Sequence, residues 1–465
     1  MASDTTERPI PVARSSRGTG NSSTAKRGIV VKNGPRIYNL FPALIGPIDR
    51  WSEHLSRIAA MRFNWVYVNP FHLLGCSGSL YAIKDYYRLN PFFRGSSRDS
   101  DDELLRRFVD AAHAVGIGVM MDLVINHTAK DAALVTDRPQ WYVHDHDGAV
   151  SSPFAVDPAD ASKRTVWHDL AELDWSERPE REALVTFFSD VVTHYVNLGF
   201  DGFRCDAAYK VPGTVWKRLI GRADAIRPNV LFAAETLGCR PDEVHQLGGA
   251  GFDFLFNSAK WWDFRSDWLL DQYEQFRHIA PSIAFPESHD TPRLISELAA
   301  GEDPEAAYRL RYLFSAFFSS GVMMPVGYEF GFSRPLNVVT TRPDDWETPR
   351  FDLSGFVSEV NAMKSRIPAL NDEGLERRLT TGHASALALV RYASRGRNYA
   401  IALINPDRNA PAEVEVGATP TVGNVRLPAD VTPGADGALQ YSNGKLRLRP
   451  LELRVFAVAA DRDRA

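Results

Sequence analysis

The sequence predicts an α/β chain: a (β/α)8 TIM barrel with a small domain inserted after the third strand and an all-β sandwich at the C-terminal end. Three observations predict it. From residue 36, short apolar strands alternate with amphipathic helical segments, giving eight strand candidates. The rhythm is interrupted once, over residues 128–175. After residue 371 helical periodicity stops and short alternating runs take over. Near-continuous apolar strands separated by helices argue for a buried parallel sheet, and eight units argue for closure rather than an open sheet.

Residues 1–32 are rich in Ser, Thr, Gly, Arg and Pro and nearly lack large apolar residues. Such a stretch buries too little surface to offset its ordering entropy, so a disordered tail is expected. The barrel is assigned to residues 33–371. Its strands are Arg36–Phe41, Trp65–Asn69, Gly118–Ile125, Gly202–Asp206, Val230–Glu235, Phe252–Phe256, Ile283–Glu287 and Val322–Val326. Helices are expected between them, among them Asp101–Val115, Glu180–Leu198 and Pro304–Ser319. The first opens on acidic residues and stops before Gly116, as helix ends prefer. Residues 128–175 are polar, rich in Asp, His and Pro, and too long for a plain loop, so they form the inserted domain. Residues 372–465 carry the runs Ala384–Tyr392, Tyr399–Ile404, Ala412–Val416 and Leu451–Val458, which fit a β-sandwich.

Composition is that of an ordinary globular protein, with 44% hydrophobic and 24% charged residues. A formal net charge of −5 favours neither nucleic acid nor an anionic membrane. No apolar run approaches the roughly 20 residues of a membrane span, and the N-terminal residues do not read as a secretory signal. Three cysteines without paired ligand spacing argue against structural zinc and suit a reducing cytoplasm.

Catalytic groups of such a barrel sit where strands end and βα loops begin. Four strand ends carry them here: Asp122-Leu-Val-Ile-Asn126-His127, Gly202-Phe-Arg204-Cys-Asp206, Ala233-Ala-Glu235 and Glu287-Ser-His289-Asp290. Retaining glycoside chemistry needs two carboxylates about 5–5.5 Å apart, which adjacent strands 4 and 5 can supply. Arg204 shares a strand face with Asp206 and is expected to hold it ionised as a nucleophile, lowering its pKa. Glu235 follows the apolar run LFAA, where desolvation raises a carboxyl pKa as a general acid requires. Asp290 would add negative charge near the developing positive charge, and His127 and His289 would bind hydroxyls. Asp122 lies earlier on its strand and reads as a structural hydrogen-bonding group. Cys205 alternates to the face away from the nucleophile. For Trp261-Trp262-Asp263-Phe264 core packing and a sugar platform are evenly matched, and Trp346 leans toward an outer subsite.

The segments DLVINH, GFRCDAA, AET and SHD, in this order and spacing, resemble the four signature regions of glycoside hydrolase family 13, the α-amylase family. DLAELDW at 169–175 resembles its fifth region. The resemblance implies Asp206 as nucleophile, Glu235 as acid/base and Asp290 as transition-state stabiliser. It implies sugar contacts from Tyr81, Asp85, His127, Arg204, Lys210, His289 and Arg293. Asn126 keeps the calcium-side position of that family, whereas Tyr209 and Lys210 stand where many members carry a Lys-His pair linking calcium to the site. No cofactor is expected on this reading, with calcium the one open question. The loop NPFHLLGCSGSLYAIKDYYRLN is similar to those of enzymes handling small malto-oligosaccharides or trehalose-linked glucan; the maltosyltransferases of glycogen synthesis are considered as relatives, but their signature segments differ from FRCDAAYKVP and AETLGC and that activity is not assigned.

The function read from these residues is cleavage of α-glucosidic bonds in α-glucans or malto-oligosaccharides, by double displacement. Hydrolysis is placed ahead of two alternatives: a transglycosylase or isomerase sharing the covalent intermediate, and a non-catalytic barrel scaffold. Three carboxylates kept at strand ends argue against the scaffold. Nothing in the sequence determines oligomeric state.

Overall fold

The computed structural model describes residues 34–157, 160–395, 398–416, 420–434 and 440–458. The N-terminal tail expected over residues 1–32 lies outside them. Eight parallel strands close into a barrel: β1 Arg36–Leu40, β2 Trp65–Val68, β3 Gly118–Leu123, β4 Gly202–Cys205, β5 Leu231–Ala234, β6 Phe254–Phe256, β7 Ser282–Ala284 and β8 Gly321–Pro325. Neighbours follow chain order, and β1 pairs with both β2 and β8. All eight expected strands are present, but several end earlier than anticipated. Asp206 and Glu235 thus stand just beyond β4 and β5, on the first residue of each loop. Pairing does continue for one step: Asp206 N–H donates to Leu123 O and Glu235 N–H to Cys205 O, at 3.1 and 3.0 Å.

The barrel is a filled core. Ile37, Tyr67, Met120, Phe254, Phe285 and Met323 pack in its interior, and a larger apolar layer lies between strands and helices. Helix α1, Asp101–Ala114, shows why its sequence folds locally. Ser100 and Glu103 form a reciprocal capping box, three acidic residues occupy the first turn, and Leu104, Leu105, Phe108, Val109 and Ala112 turn one face inward.

Two excursions leave the barrel on the face where its strands end. One follows β2, where His72–Leu74 and Ile83–Leu89 form an irregular antiparallel pair. The other is the inserted segment. His127–Ala129 pairs with Leu170–Glu172 at its base, and Phe154–Asp157 pairs with Asp160–Val166 as a hairpin.

After helix Ser354–Arg366 the chain forms a five-stranded sheet, Glu376–Leu379, Leu387–Tyr392, Tyr399–Asn405, Glu452–Ala457 and Ala429–Asp430, and a three-stranded sheet, Ala412–Glu415, Lys445–Leu448 and Gln440–Ser442. Val390, Ile401, Leu403 and Phe456 of the larger sheet pack against Val414, Leu446 and Leu448 of the smaller. The other face of the larger sheet, including Leu389, Ala402, Ile404 and Val455, belongs to the barrel's own apolar layer. Its central strands are buried on both sides. Polar groups seal this seam. Lys364 is fully buried, and its Nζ donates to the carbonyls of Ala316, Ser319 and Leu370 at 2.9, 2.6 and 2.6 Å. Arg391, also fully buried, bonds Glu373 and the carbonyls of Ala369 and Phe318.

Candidate active site

Arg204 organises the site. Its Nη1 lies 2.8 Å from Asp122 Oδ1 and 2.7 Å from Asp206 Oδ1, and its Nη2 lies 2.9 Å from Glu235 Oε1. One planar fork therefore fixes three carboxylates delivered by β3, β4 and β5, a task an ammonium could not perform with the same geometry. Arg204 and Asp206 share a face because they are two residues apart on an extended chain.

A second layer holds Asp122. It is fully buried and accepts from Tyr67 and Tyr81 hydroxyls. Asn69 donates to both phenols, at 3.1 Å each. Tyr81 also meets His289 Nε2 at 2.7 Å, with the two rings nearly parallel at 7°. His289 Nε2 in turn lies 2.9 Å from Asp290 Oδ2. Asp290 is the most open of the carboxylates, its side chain 53% exposed, while those of Asp206 and Glu235 are 11% and 16% exposed. The arrangement forms a pit: Asp206 and Glu235 sit deep and Asp290 stands at the rim.

The electrostatics differ from expectation at one point. Burial raises the pKa of Asp206 well above the usual carboxylate range; Arg204 pulls it down, but Glu235 and Asp122 push it back up. The lowering expected from Arg204 is thus outweighed by desolvation and two like charges. Glu235 is raised chiefly by burial, against the pull of Arg204 and the N–H of Ala207. For Asp290, partial desolvation raises the pKa, but His289 and then Arg204 outweigh it and the carboxyl lies below its ordinary value. Burial holds His127 down at about 4, so its ring is neutral at physiological pH.

The other anticipated residues divide. His127 contacts Tyr81 through the backbone, its Nε2 lying 3.2 Å from the carbonyl, and its Nδ1 is buried without a protein partner. Lys210 is exposed, its Nζ 5.6 Å from the ring of Phe154 in the inserted hairpin. Two residues are placed elsewhere. Arg293 is only 2% exposed and bonds Glu287 and the carbonyls of Val326 and Arg334, so it braces the loops after β7 and β8 and offers no surface to a sugar. Asp85 lies on the hairpin after β2, where its Oδ1 accepts from Tyr87 N. Tyr67 and Asn69 were not anticipated. Their two-residue spacing across the end of β2 was the available signal, because it turns both toward the barrel interior.

Asn126 Oδ1 is buried without a protein partner, an orphan that a water or a cation would satisfy. Calcium takes about 6–8 oxygen ligands. Among the described residues the one cluster of three His, Cys, Asp or Glu side chains close enough to share a metal is Asp145, His146 and Asp147, on an exposed turn of the inserted segment. No helix among the described residues is long and apolar enough to cross a membrane.

Comparison with known proteins places this geometry. Residues 30–147 match the family model of the glycogen debranching enzyme glucanotransferase domain. The α-1,4-glucan:maltose-1-phosphate maltosyltransferase of Burkholderia pseudomallei is 29% identical over 92% of this chain and 37% of its own length. The enzyme of the same name from Myxococcus xanthus is 27% identical over 78% of this chain and 56% of its own length. The chain thus spans between a third and three-fifths of these relatives. Among solved structures, an α-amylase from Lactobacillus plantarum superposes with a TM-score of 0.71 at 20% identity, over 92% of this chain and 99% of that one. An α-glucosyl transfer enzyme superposes with 0.70 at 17% identity, over 92% and 99%. With the barrel closed, three of the signature segments meeting on one guanidinium and these relatives alongside, the chain is similar in fold and sequence to glucan-active enzymes of the α-amylase family, glycoside hydrolase family 13.

Proposed function

We propose that this enzyme acts on α-glucans or malto-oligosaccharides by double displacement with retention, and that it transfers a maltosyl or longer glycosyl unit to a glucan acceptor in preference to water. The observation that carries the mechanism is the shared guanidinium: Arg204 holds Asp206 and Glu235 side by side at 2.7 and 2.9 Å. That supports the short carboxylate separation of retaining enzymes.

Asp206 attacks the anomeric carbon of the donor as its bond to the leaving oxygen breaks. Glu235 gives that oxygen its proton. A glycosyl ester forms on Asp206 with inverted configuration. The acceptor hydroxyl then passes its proton to Glu235 while its oxygen attacks the same carbon. Asp206 is released as carboxylate, Glu235 is protonated again, and two inversions leave the product α. Asp290, held near His289, keeps negative charge at the rim where hydroxyls of the distorted sugar bind. Tyr81, stacked on His289, supplies a platform beneath the ring.

Hydrolysis, the first reading of the sequence, shares every step, with water in place of the acceptor. Transfer moves ahead because the relatives aligned over most of the chain bear maltosyltransferase names. Those names also commend an α-maltosyl phosphate as donor. Free cysteines, the exposed Cys76 among them, favour a cytoplasmic setting. The test is a product time course on maltose 1-phosphate with malto-oligosaccharide acceptor, and on malto-oligosaccharides with and without inorganic phosphate. Chains that lengthen by glycosyl units without new reducing ends establish transfer. Reducing ends that accumulate with shortening chains establish hydrolysis, and no turnover of any of these sugars defeats the proposal.

A further inference from the structure

The paired tryptophans after β6 part company in the fold. Trp262 is fully buried, while Trp261 is 50% exposed. A single exposed aromatic is common and needs no explanation. Two further observations give this one a role.

The first is its place. The edge of the Trp261 ring meets Phe285 at a centroid distance of 6.0 Å, and Phe285 lines the same pit as Arg204, Glu235 and Asp290. Trp261 is therefore one ring away from the catalytic carboxylates. Its backbone is held on both sides: Lys260 is tied to Glu297 at 2.8 and 3.0 Å, and Arg311 donates to Trp262 O at 3.0 Å. The indole is presented by a braced turn.

The second is what lies beyond it. Trp261 borders a cavity of about 610 Å³ between the barrel loops and the C-terminal sheets, within the range of sites that bind small ligands. Three guanidiniums, of Arg265, Arg311 and Arg408, face it, with four carboxylates, of Asp263, Glu297, Glu302 and Asp407. The signs nearly cancel. An anionic ligand such as a sugar phosphate would call for a cationic excess, whereas a neutral polyol with an apolar face suits an indole ringed by donors and acceptors. Arg408 comes from the C-terminal domain, tied to Glu302 at 3.0 Å with its side chain 51% exposed.

We infer that this cleft is an outer subsite for the α-glucan chain, with Trp261 as its stacking platform and Arg408 as a hydroxyl-binding group from the C-terminal domain. The inference rests on the glucan-active reading above. A chain leaving the mouth of the catalytic pit stacks on Trp261, whose ring is backed by the buried Phe285, and continues into the cleft. The C-terminal sheets thereby contribute to chain-length preference as well as to stability.

The test is calorimetric titration of maltotriose and maltoheptaose into the E235Q enzyme and into its W261A, W261F and R408A derivatives, with turnover of wild type on both sugars measured in parallel. Removing the indole is expected to weaken maltoheptaose about tenfold and maltotriose less than about twofold, with Trp261→Phe recovering most of the loss. Arg408→Ala is expected to weaken the longer sugar about three- to fivefold. Equal losses for both lengths, or unaltered affinity for maltoheptaose, overturn the subsite while glucan turnover stands. If neither sugar binds and wild type turns over neither, the glucan reading itself falls and the subsite with it.

Discussion

The backbone N–H of Ala207 donates to Glu235 Oε2 at 2.8 Å, and it does so from the left-handed region, at φ +40° and ψ +46°. The residue after Asp206 is thus bent back so that its amide steadies Glu235 at the end of the next strand. An L-residue held there costs about 1–2 kcal/mol. Glycine adopts this conformation freely. Ala207→Gly is therefore expected to match or exceed wild-type stability by up to about 1 kcal/mol while keeping the amide contact. Ala207→Val, branched at Cβ, is expected to lose at least about 1 kcal/mol and to lower kcat. Thermal denaturation with steady-state kinetics on both variants checks this, and an Ala207→Gly protein clearly less stable than wild type would contradict the strain.

Glu235→Gln is expected to lower kcat by about 10²–10⁴-fold, the range that positioned acid–base catalysis supplies. Asp206→Ala removes the covalent route and should fall at the lower limit of detection. Proton NMR of the first products should show the α anomer; an initial β anomer would rule out two successive displacements at Asp206.

The pH dependence follows from the raised pair. Burial, opposed by Arg204, leaves both Asp206 and Glu235 above the ordinary carboxylate range, so the native state holds more protons than the unfolded chain. Stability is then greatest below the unfolded pKa of about 4 and falls as pH rises through the folded values. A Glu235→Gln protein escapes part of that fall. Its melting temperature should exceed wild type at neutral pH, by about 2–4 °C for each kcal/mol relieved, and the gap should close as pH falls toward 4. Paired melting curves across pH test the sign. The activity of wild type should show an alkaline limb as the pair loses the proton that Glu235 must deliver.

The seam between barrel and C-terminal sheets depends on Lys364, whose Nζ serves three carbonyls in a buried setting. Lys364→Met fills the volume but leaves those carbonyls without a donor. A loss of about 2–4 kcal/mol is expected in chemical denaturation. A loss under about 1 kcal/mol would mean that water takes the ammonium's place.

Much of this enzyme was legible in the linear chain. The alternation of apolar strands and helices dictates a closed parallel barrel, because only burial on both faces accommodates strands such as Gly118–Leu123 or Leu231–Ala234. The strand-end carboxylates Asp206, Glu235 and Asp290 could be read from position alone, since barrel geometry directs strand ends to one mouth. What residues far apart in sequence do to one another could not be read this way. Arg293 looked like a sugar contact until its place beside Glu287 buried it, and Asp85 until the hairpin engaged its carboxylate with the amide of Tyr87. Trp261 and Trp262 are indistinguishable in sequence, and only packing sends one to solvent and the other into the core. The pKa of Asp206 shows the same division: a neighbouring arginine two residues away is a local fact and argues for a low value. Desolvation and the charges of Glu235 and Asp122 are sums over the folded neighbourhood, and they reverse it. Periodic burial and strand-end position are properties of the chain, whereas solvent exclusion and through-space charge exist only once distant segments have been brought together.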